Sequence, residues 1–173
     1  MSGKITVDKL QAAHAQVRAA IELWADGDNP IAVHTLIAAA HEIVHALYIR
    51  KGLQDLLLDS DWIKPEFLPL WRSRIRERAN FFKHADRDPD AAIELDPEVN
   101  ELHIMFTLVG LHRMGEEVCE EGLAFMRWIE FNRPNLMKVD LLGQALPAAI
   151  IEQFRQYSRR EFLDGFKAYV GRR

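Results

Sequence analysis

The sequence predicts an all-α protein, an up-and-down helical bundle of four to five long helices with a C-terminal helical pair. Three observations carry this reading. Apolar residues recur at i, i+3 and i+4 in one segment after another. No period-2 run calls for a strand. Helix-opening pairs recur at Asn29-Pro30, Asp88-Pro89 and Asp96-Pro97, with the polar residue placed as N-cap and proline as the first helical residue. The 173 residues suit one domain. The expected division is a bundle core at 1–134 and a C-terminal appendage at 135–173 packed on the same domain.

The first helix is expected at 6–26, with Leu10, Val17, Ile21 and Trp24 as its stripe and His14 at the core margin. Gly27 to Pro30 stops it and opens a second helix at 30–51, striped by Val33, Leu36, Ala40, Val44 and Leu47. A short apolar helix is expected at 53–58 and a turn at Asp59-Ser60-Asp61. A third long helix, 65–85, places Leu68, Trp71, Ile75, Ala79 and Phe82 on one face. The helix at 97–114 is the most apolar. Its expected spine is Leu102, Phe106 and Val109, widened by Ile104, Met105, Leu108 and Leu111, which suits a central or shared position. Gly115 breaks it. A helix at 116–132 follows, with Val118, Gly122, Phe125 and Ile129 in register, until Arg133-Pro134 stops it. After a glycine-containing connection, a helix at 147–157 precedes a last one that ends near Gly171. Ser158-Arg159-Arg160-Glu161 forms the capping box of that last helix. Its basic residues, Arg155, Arg159, Arg160, Lys167, Arg172 and Arg173, suit a docked helical pair, a dimer arm or an anion-facing appendage.

Composition narrows the function classes. The net charge of −4 lacks the basicity of a general DNA binder. One cysteine, Cys119, excludes an intrachain disulfide and fits a buried thiol in a reducing cytoplasm. The amino terminus has no apolar core of signal-peptide length, and the longest run free of strongly polar residues, Ile104 to Leu111, is too short to span a bilayer. A soluble, cytoplasmic protein is the expectation.

Two stretches carry candidate chemistry. From Pro65 to Asp90 an amphipathic helix becomes basic through Arg72, Arg74, Arg76, Arg78 and Lys83, then meets an acidic run from Asp86 to Glu101. Asn80, Lys83 and His84 share a helix face turned away from the apolar stripe. That face suits a catalyst, a contact surface, or a clasp on the acidic loop. The second stretch, His41-Glu42-Ile43-Val44-His45, has the form H-E-x-x-H, with both imidazoles on one side of a helix and His34 extending the row. A zincin context is missing, since a helix rather than sheet precedes it. Tyr48 and Lys51 stand where the extended pattern takes glycine and histidine. Asp86 to Asp90 opens like a calcium loop, but Ala91 and Pro97 occupy its sixth and twelfth positions. No cofactor and no metal ligand set is expected.

The phrases His34-Thr35-Leu36 and Asn80-Phe81-Phe82-Lys83-His84-Ala85-Asp86 resemble a family of uncharacterised bacterial all-α proteins with an NFFKHADxDPD motif, over about residues 15–130. The arginine-to-histidine spacing of Arg78 to His84 also distantly resembles the HEPN superfamily. These are small all-α bundles, often dimeric, many of them metal-independent ribonucleases of toxin and defence systems. A polar residue usually follows the arginine directly there; here Ala79 does, and Asn80 comes one later. That resemblance implies catalytic roles for Arg78, Asn80, Lys83 and His84, a homodimer to complete the site, and RNA as partner. The leading expectation is an interaction or structural module using the Asn80, Lys83 and His84 surface, with a protein or a second copy as partner. The alternatives are a HEPN-like ribonuclease and a metal-binding bundle using the His41 to His45 helix.

Overall fold

Asp8 begins the ordered helical part of the chain by capping the first helix. Its carboxylate accepts from Gln11 N at 2.7 Å, and the Gln11 side chain accepts from Asp8 N at 3.0 Å. The computed structural model describes residues 3–53, 77–78, 80–82, 89–133 and 148–170. Within these the helices are α1 (Lys9–Asp26), α2 (Pro30–Arg50), α3 (Glu98–Arg113), α4 (Glu120–Asn132), α5 (Ala148–Phe154) and α6 (Arg159–Val170), and no described residue lies in a strand. The protein is all-α. Of the expected helix at 65–85, residues 77, 78, 80 and 81 are described and helical and Phe82 is in a turn; its remainder, and the expected helix at 53–58 beyond Leu53, lie outside the described residues.

The caps expected at Asn29 and Ser158 are in place, whereas the helix expected to open at Pro97 starts at Glu98 with Pro97 itself at the cap position, and Asp88 lies outside the described residues. Asn29 Oδ1 accepts from Ala32 N at 3.0 Å with Pro30 behind it, and Gly27 closes α1 at φ 76°. Asp96 Oδ1 accepts from Glu98 N at 2.9 Å at the head of α3. Ser158 and Glu161 form the capping box of α6. The helix expected to resume at 116 starts instead at Glu120. Gly115, at φ 80°, lets Glu116 N turn back onto Leu111 O at 3.0 Å, and 116–119 cross to α4 without helix.

Pairwise contacts set the directions. His34 meets Asn100, His41 meets Thr107, and Lys51 Nζ reaches Met114 O at 2.8 Å, so α2 and α3 run parallel. Arg18 meets Glu121 and Trp24 meets Trp128, so α1 and α4 are parallel to each other. Arg160 bonds Asp26 and Lys167 bonds Glu22, so α6 runs back along α1. The core between α1, α2, α3 and α4 holds Val17, Ile21, Ile37, Val44, Ile104, Leu108, Phe125 and Ile129.

The expected α3 spine is corrected. Leu102, Phe106 and Val109 are only half-buried, whereas Ile104, Met105, Leu108 and Leu111 are buried along with Asn100, His103 and Thr107. Polar residues share the inward face, so apolarity alone points to the wrong side.

The membrane expectation also needs refining. α2 is long and apolar enough by length and composition to cross a membrane, because Glu42 and Arg50 are its only acidic or basic residues besides histidine. Counting uninterrupted apolar runs misses this. In the bundle, eight of its residues are buried, including Ile37, Val44 and Tyr48, as in the core helix of a packed domain.

The basic C-terminal residues that are described pair inward. Arg160 bonds Glu22 at 2.6 Å and Asp26, Lys167 bridges Glu22 and Glu121 at 2.8 and 3.0 Å, and Arg155 Nε donates to Phe131 O at 2.8 Å. Arg159 joins Glu101, a carboxylate only 2% exposed that also accepts from Trp24 Nε1 at 3.3 Å and Arg133 Nε at 3.5 Å. Phe131, Phe154 and Phe162 pack as a ring cluster under this pair of helices. The two described C-terminal helices are thus held against α1, α3 and α4.

Two outcomes follow from this packing. A methyl group at Gly122 would stand 2.7 Å from both Leu108 Cδ2 and Val118 Cγ1, so Gly122→Ala should lower stability by about 1–3 kcal/mol in urea unfolding. Glu101→Ala strands Trp24 Nε1 while Arg133 and Arg159 regain water, and should cost about 1–3 kcal/mol.

Candidate functional site

Between α2 and α3 the structure places a row of four imidazoles. His34, His41 and His45 come from α2 and His103 from α3. The rings follow in the order 34, 103, 41, 45, with centroids 5.4, 5.5 and 6.4 Å apart, and the last pair lies stacked. His103 is 1% exposed.

The row is held from α3. Asn100 Nδ2 donates to Pro30 O at 2.9 Å, which turns Oδ1 towards His34 Nδ1 at 2.8 Å. Thr107 Oγ1 donates to His103 O at 2.7 Å, so it accepts from His41 Nδ1 at 3.3 Å. His34 and His41 are seven residues apart, as are Asn100 and Thr107, so two parallel helices meet through matching steps. Both histidines thereby carry the proton on Nδ1, leaving Nε2 as the lone-pair nitrogen.

Burial disfavours the charged form of two of these rings, His41 and His103. It drives His41 down to about 4, helped by the neighbouring His45. His103 is held well below the usual histidine range by burial first, then by His41, His34 and Arg78.

Of the residues singled out from the sequence, Arg78 and Asn80 are described, while Lys83 and His84 lie outside the described residues. Arg78 is half-buried and close enough to His103 to act on its charge; Asn80 is exposed. Phe82 sets its ring edge on His34 at 5.6 Å and is itself met edge-on by Phe81 at 5.4 Å. The Arg78 to Phe82 stretch is therefore seated on the histidine row, a connection the sequence did not suggest. His103 was missed altogether. The usable signal was the repeat of Asn100, His103 and Thr107 along one face of α3 at the spacing of His34 and His41. In the H-E-x-x-H stretch, Glu42 is exposed whereas His41 is buried, so the carboxylate and the imidazole point to different surroundings. Cys119 is a half-buried free thiol whose pKa burial pushes up.

Comparison with protein-family models, curated proteins and solved structures found no match to this chain.

The row makes stability pH-dependent. An unfolded His41 titrates near 6.5 and a folded one near 4, so between those values the unfolded chain binds more protons. The stabilisation is complete above about pH 6.5 and is lost as pH falls towards 4, about 3 kcal/mol for His41 alone. His45 and His103 stand beside it, and His34 and Arg78 act in turn on His103. Tm should fall steeply between pH 7 and 4.5, and the slope should be shallower in His41→Leu.

Proposed function

We propose that this chain is an interaction module that pairs with a second copy of itself through the outward side of α2, bordered by the Arg78 to Phe82 stretch. The observation that carries the reading is the character of that side. Ile31, Thr35, Glu42, Ala46 and Ile49 fall within about 60° of the helix circumference. Ile31 and Ile49 are 53% and 51% exposed, with Ala46 between them and Glu42 the one charged residue of the five. Large aliphatic side chains at both ends and small ones between them fit a helix of the same kind laid against them. In an antiparallel two-fold pairing, Ile31 of one copy sits beside the partner's Ile49, and the two Glu42 side chains are offset rather than opposed. Phe82, packed on His34, pins the stretch carrying exposed Asn80 to the same helix. The reading places the protein in the cytoplasm, where Cys119 stays a thiol.

The ribonuclease reading makes a different demand. Metal-independent cleavage needs an imidazole that exchanges protons near neutrality and meets the substrate. The imidazole beside Arg78 among the described residues is His103, which is buried and held uncharged. That activity therefore rests on His84.

The expected solution state is a dimer in sedimentation equilibrium at tens of micromolar, with Ile31→Asp and Ile49→Asp each weakening pairing by about tenfold or more and leaving the helical circular dichroism unchanged. A chain that is monomeric throughout, or a double variant that pairs as tightly as the parent, contradicts the proposal. RNA cleavage that persists in chelator and disappears in His84→Ala would favour the ribonuclease instead; none is expected.

A further inference from the structure

Residues 3–7, which lead into α1, carry an inference that rests on the pairing proposed above and names what completes it. Among the described residues the large aliphatic side chains that stand exposed are Ile5, Val7, Ile31 and Ile49, and Ile5 is the barest at 83%. All four belong to the α1–α2 hairpin and its entry. The short link at 27–29 folds α2 back along α1, so the start of α1 lies at the Ile49 end of α2. Ile31 marks the opposite end, beside the link. Single exposed aliphatics are ordinary on a protein surface; three gathered at one end of a helix, with a fourth at the other, form a pattern.

Residues 3–7 are non-helical and exposed throughout, and no backbone hydrogen bond ties them to another described residue. Asp8, at φ −87° and ψ 173°, carries the chain out of α1 in an extended direction. In an extended chain Ile5 and Val7 share one side, while Lys4 and Thr6 take the other. Five residues drawn out reach at most about 17 Å. Packed helices lie about 8–10 Å apart, so the segment can reach a helix laid on α2 and little beyond it.

The two ends of the hairpin also differ in charge. Lys4, Lys9 and Arg50 are exposed at the Ile49 end and form no ion pair with another described residue. At the Ile31 end Asp28 is exposed and equally unpaired among the described residues, while Asp26 is held by Arg160. An antiparallel second copy brings the basic end of each hairpin to the acidic link of the other. A parallel one sets like charge against like.

We propose that residues 3–7 cross to the second copy, with Ile5 and Val7 covering the partner's Ile31 and Lys4 facing the partner's Asp28. Two-fold symmetry makes the exchange reciprocal. Each end of the interface then gathers Ile5, Val7 and Ile49 of one copy around the partner's Ile31. The aliphatic side chains supply adhesion, and the charges select the antiparallel direction.

The test uses the full chain in sedimentation equilibrium, followed by cross-linking. The double variant Ile5→Asp/Val7→Asp should weaken pairing by about tenfold or more. Its helical circular dichroism should stay unchanged, since both side chains are exposed in the single chain. Lys4→Glu and Asp28→Lys should each weaken pairing by about threefold at low salt, and the two together should restore it. An equimolar mixture of Ile5→Cys/Cys119→Ser with Ile31→Cys/Cys119→Ser should form a disulfide between the two chains. A chain that is monomeric throughout overturns both this inference and the pairing on which it rests. A chain that pairs, yet ignores Ile5→Asp/Val7→Asp and forms no such disulfide, overturns this inference alone. A disulfide that joins Ile5→Cys to its own kind instead of to Ile31→Cys marks parallel helices and overturns it too.

Discussion

One buried carboxylate, Glu101, ties four helices of the bundle together. It sits in α3, takes the indole N–H of Trp24 from α1, Arg133 from just past α4 and Arg159 from the start of α6. Arg159 also lies over the faces of Trp24 and Trp128, 4.9 and 5.3 Å from their centroids. A buried charge is expensive to desolvate, and three donors offset that cost only in one relative placement of the four helices. A second set of pairs, Arg160 with Glu22 at the start of α6 and Lys167 with Glu22 and Glu121 further along it, repeats the device at a more exposed position. Docking of the C-terminal helices is thus a matter of charge geometry as well as of the phenylalanine cluster beneath them.

The histidine row plays the corresponding part between α2 and α3. Two apolar parallel helices have little to choose between neighbouring registers, since leucine meets leucine equally well one turn along. The His34–Asn100 and His41–Thr107 pairs remove that freedom. The same pairs hold the rings in fixed tautomers, so the specificity of the fold and the reactivity of its interior have one source.

Much of this architecture was legible in the chain. Caps at Asn29 and Ser158 are local chemistry, read from two to four adjacent residues, and the α1 and α2 stripes follow from simple periodicity. What failed were properties that depend on a distant partner. The inward side of α3 was misjudged because Asn100, His103 and Thr107 look like solvent-facing residues until α2 is set against them. A docked C-terminal pair was expected, but not what it docks on, because the acids on α3 and α1 that Arg159 and Arg160 meet lie more than fifty residues away in sequence. Glycine at 122 read as a register position, while its use is the close approach of Leu108 and Val118. The candidate surface was legible in part: Asn80 is exposed as its wheel position implies, but the seating of Phe82 on His34 is a long-range contact that no window of sequence contains.

The seven-residue match between the helices also shapes how they can go wrong. Sliding α3 along α2 by a single turn, about 5.4 Å, brings Thr107 level with His45 in one direction and neither Asn100 nor Thr107 to an imidazole in the other. A slide of seven residues, about 10.5 Å, restores one polar pair out of two, His41 with Asn100 or His34 with Thr107 depending on direction. Such a half-matched chain keeps much of its apolar contact, so the ladder by itself is a poor guard against that slip. The guard is at the end: Lys51 closes α3 by bonding Met114 O and Glu116, and it can do so in only one register. A lysine at the margin of the bundle therefore acts as its end-stop, distinguishing the native alignment from the decoy that the repeat of its own histidines creates.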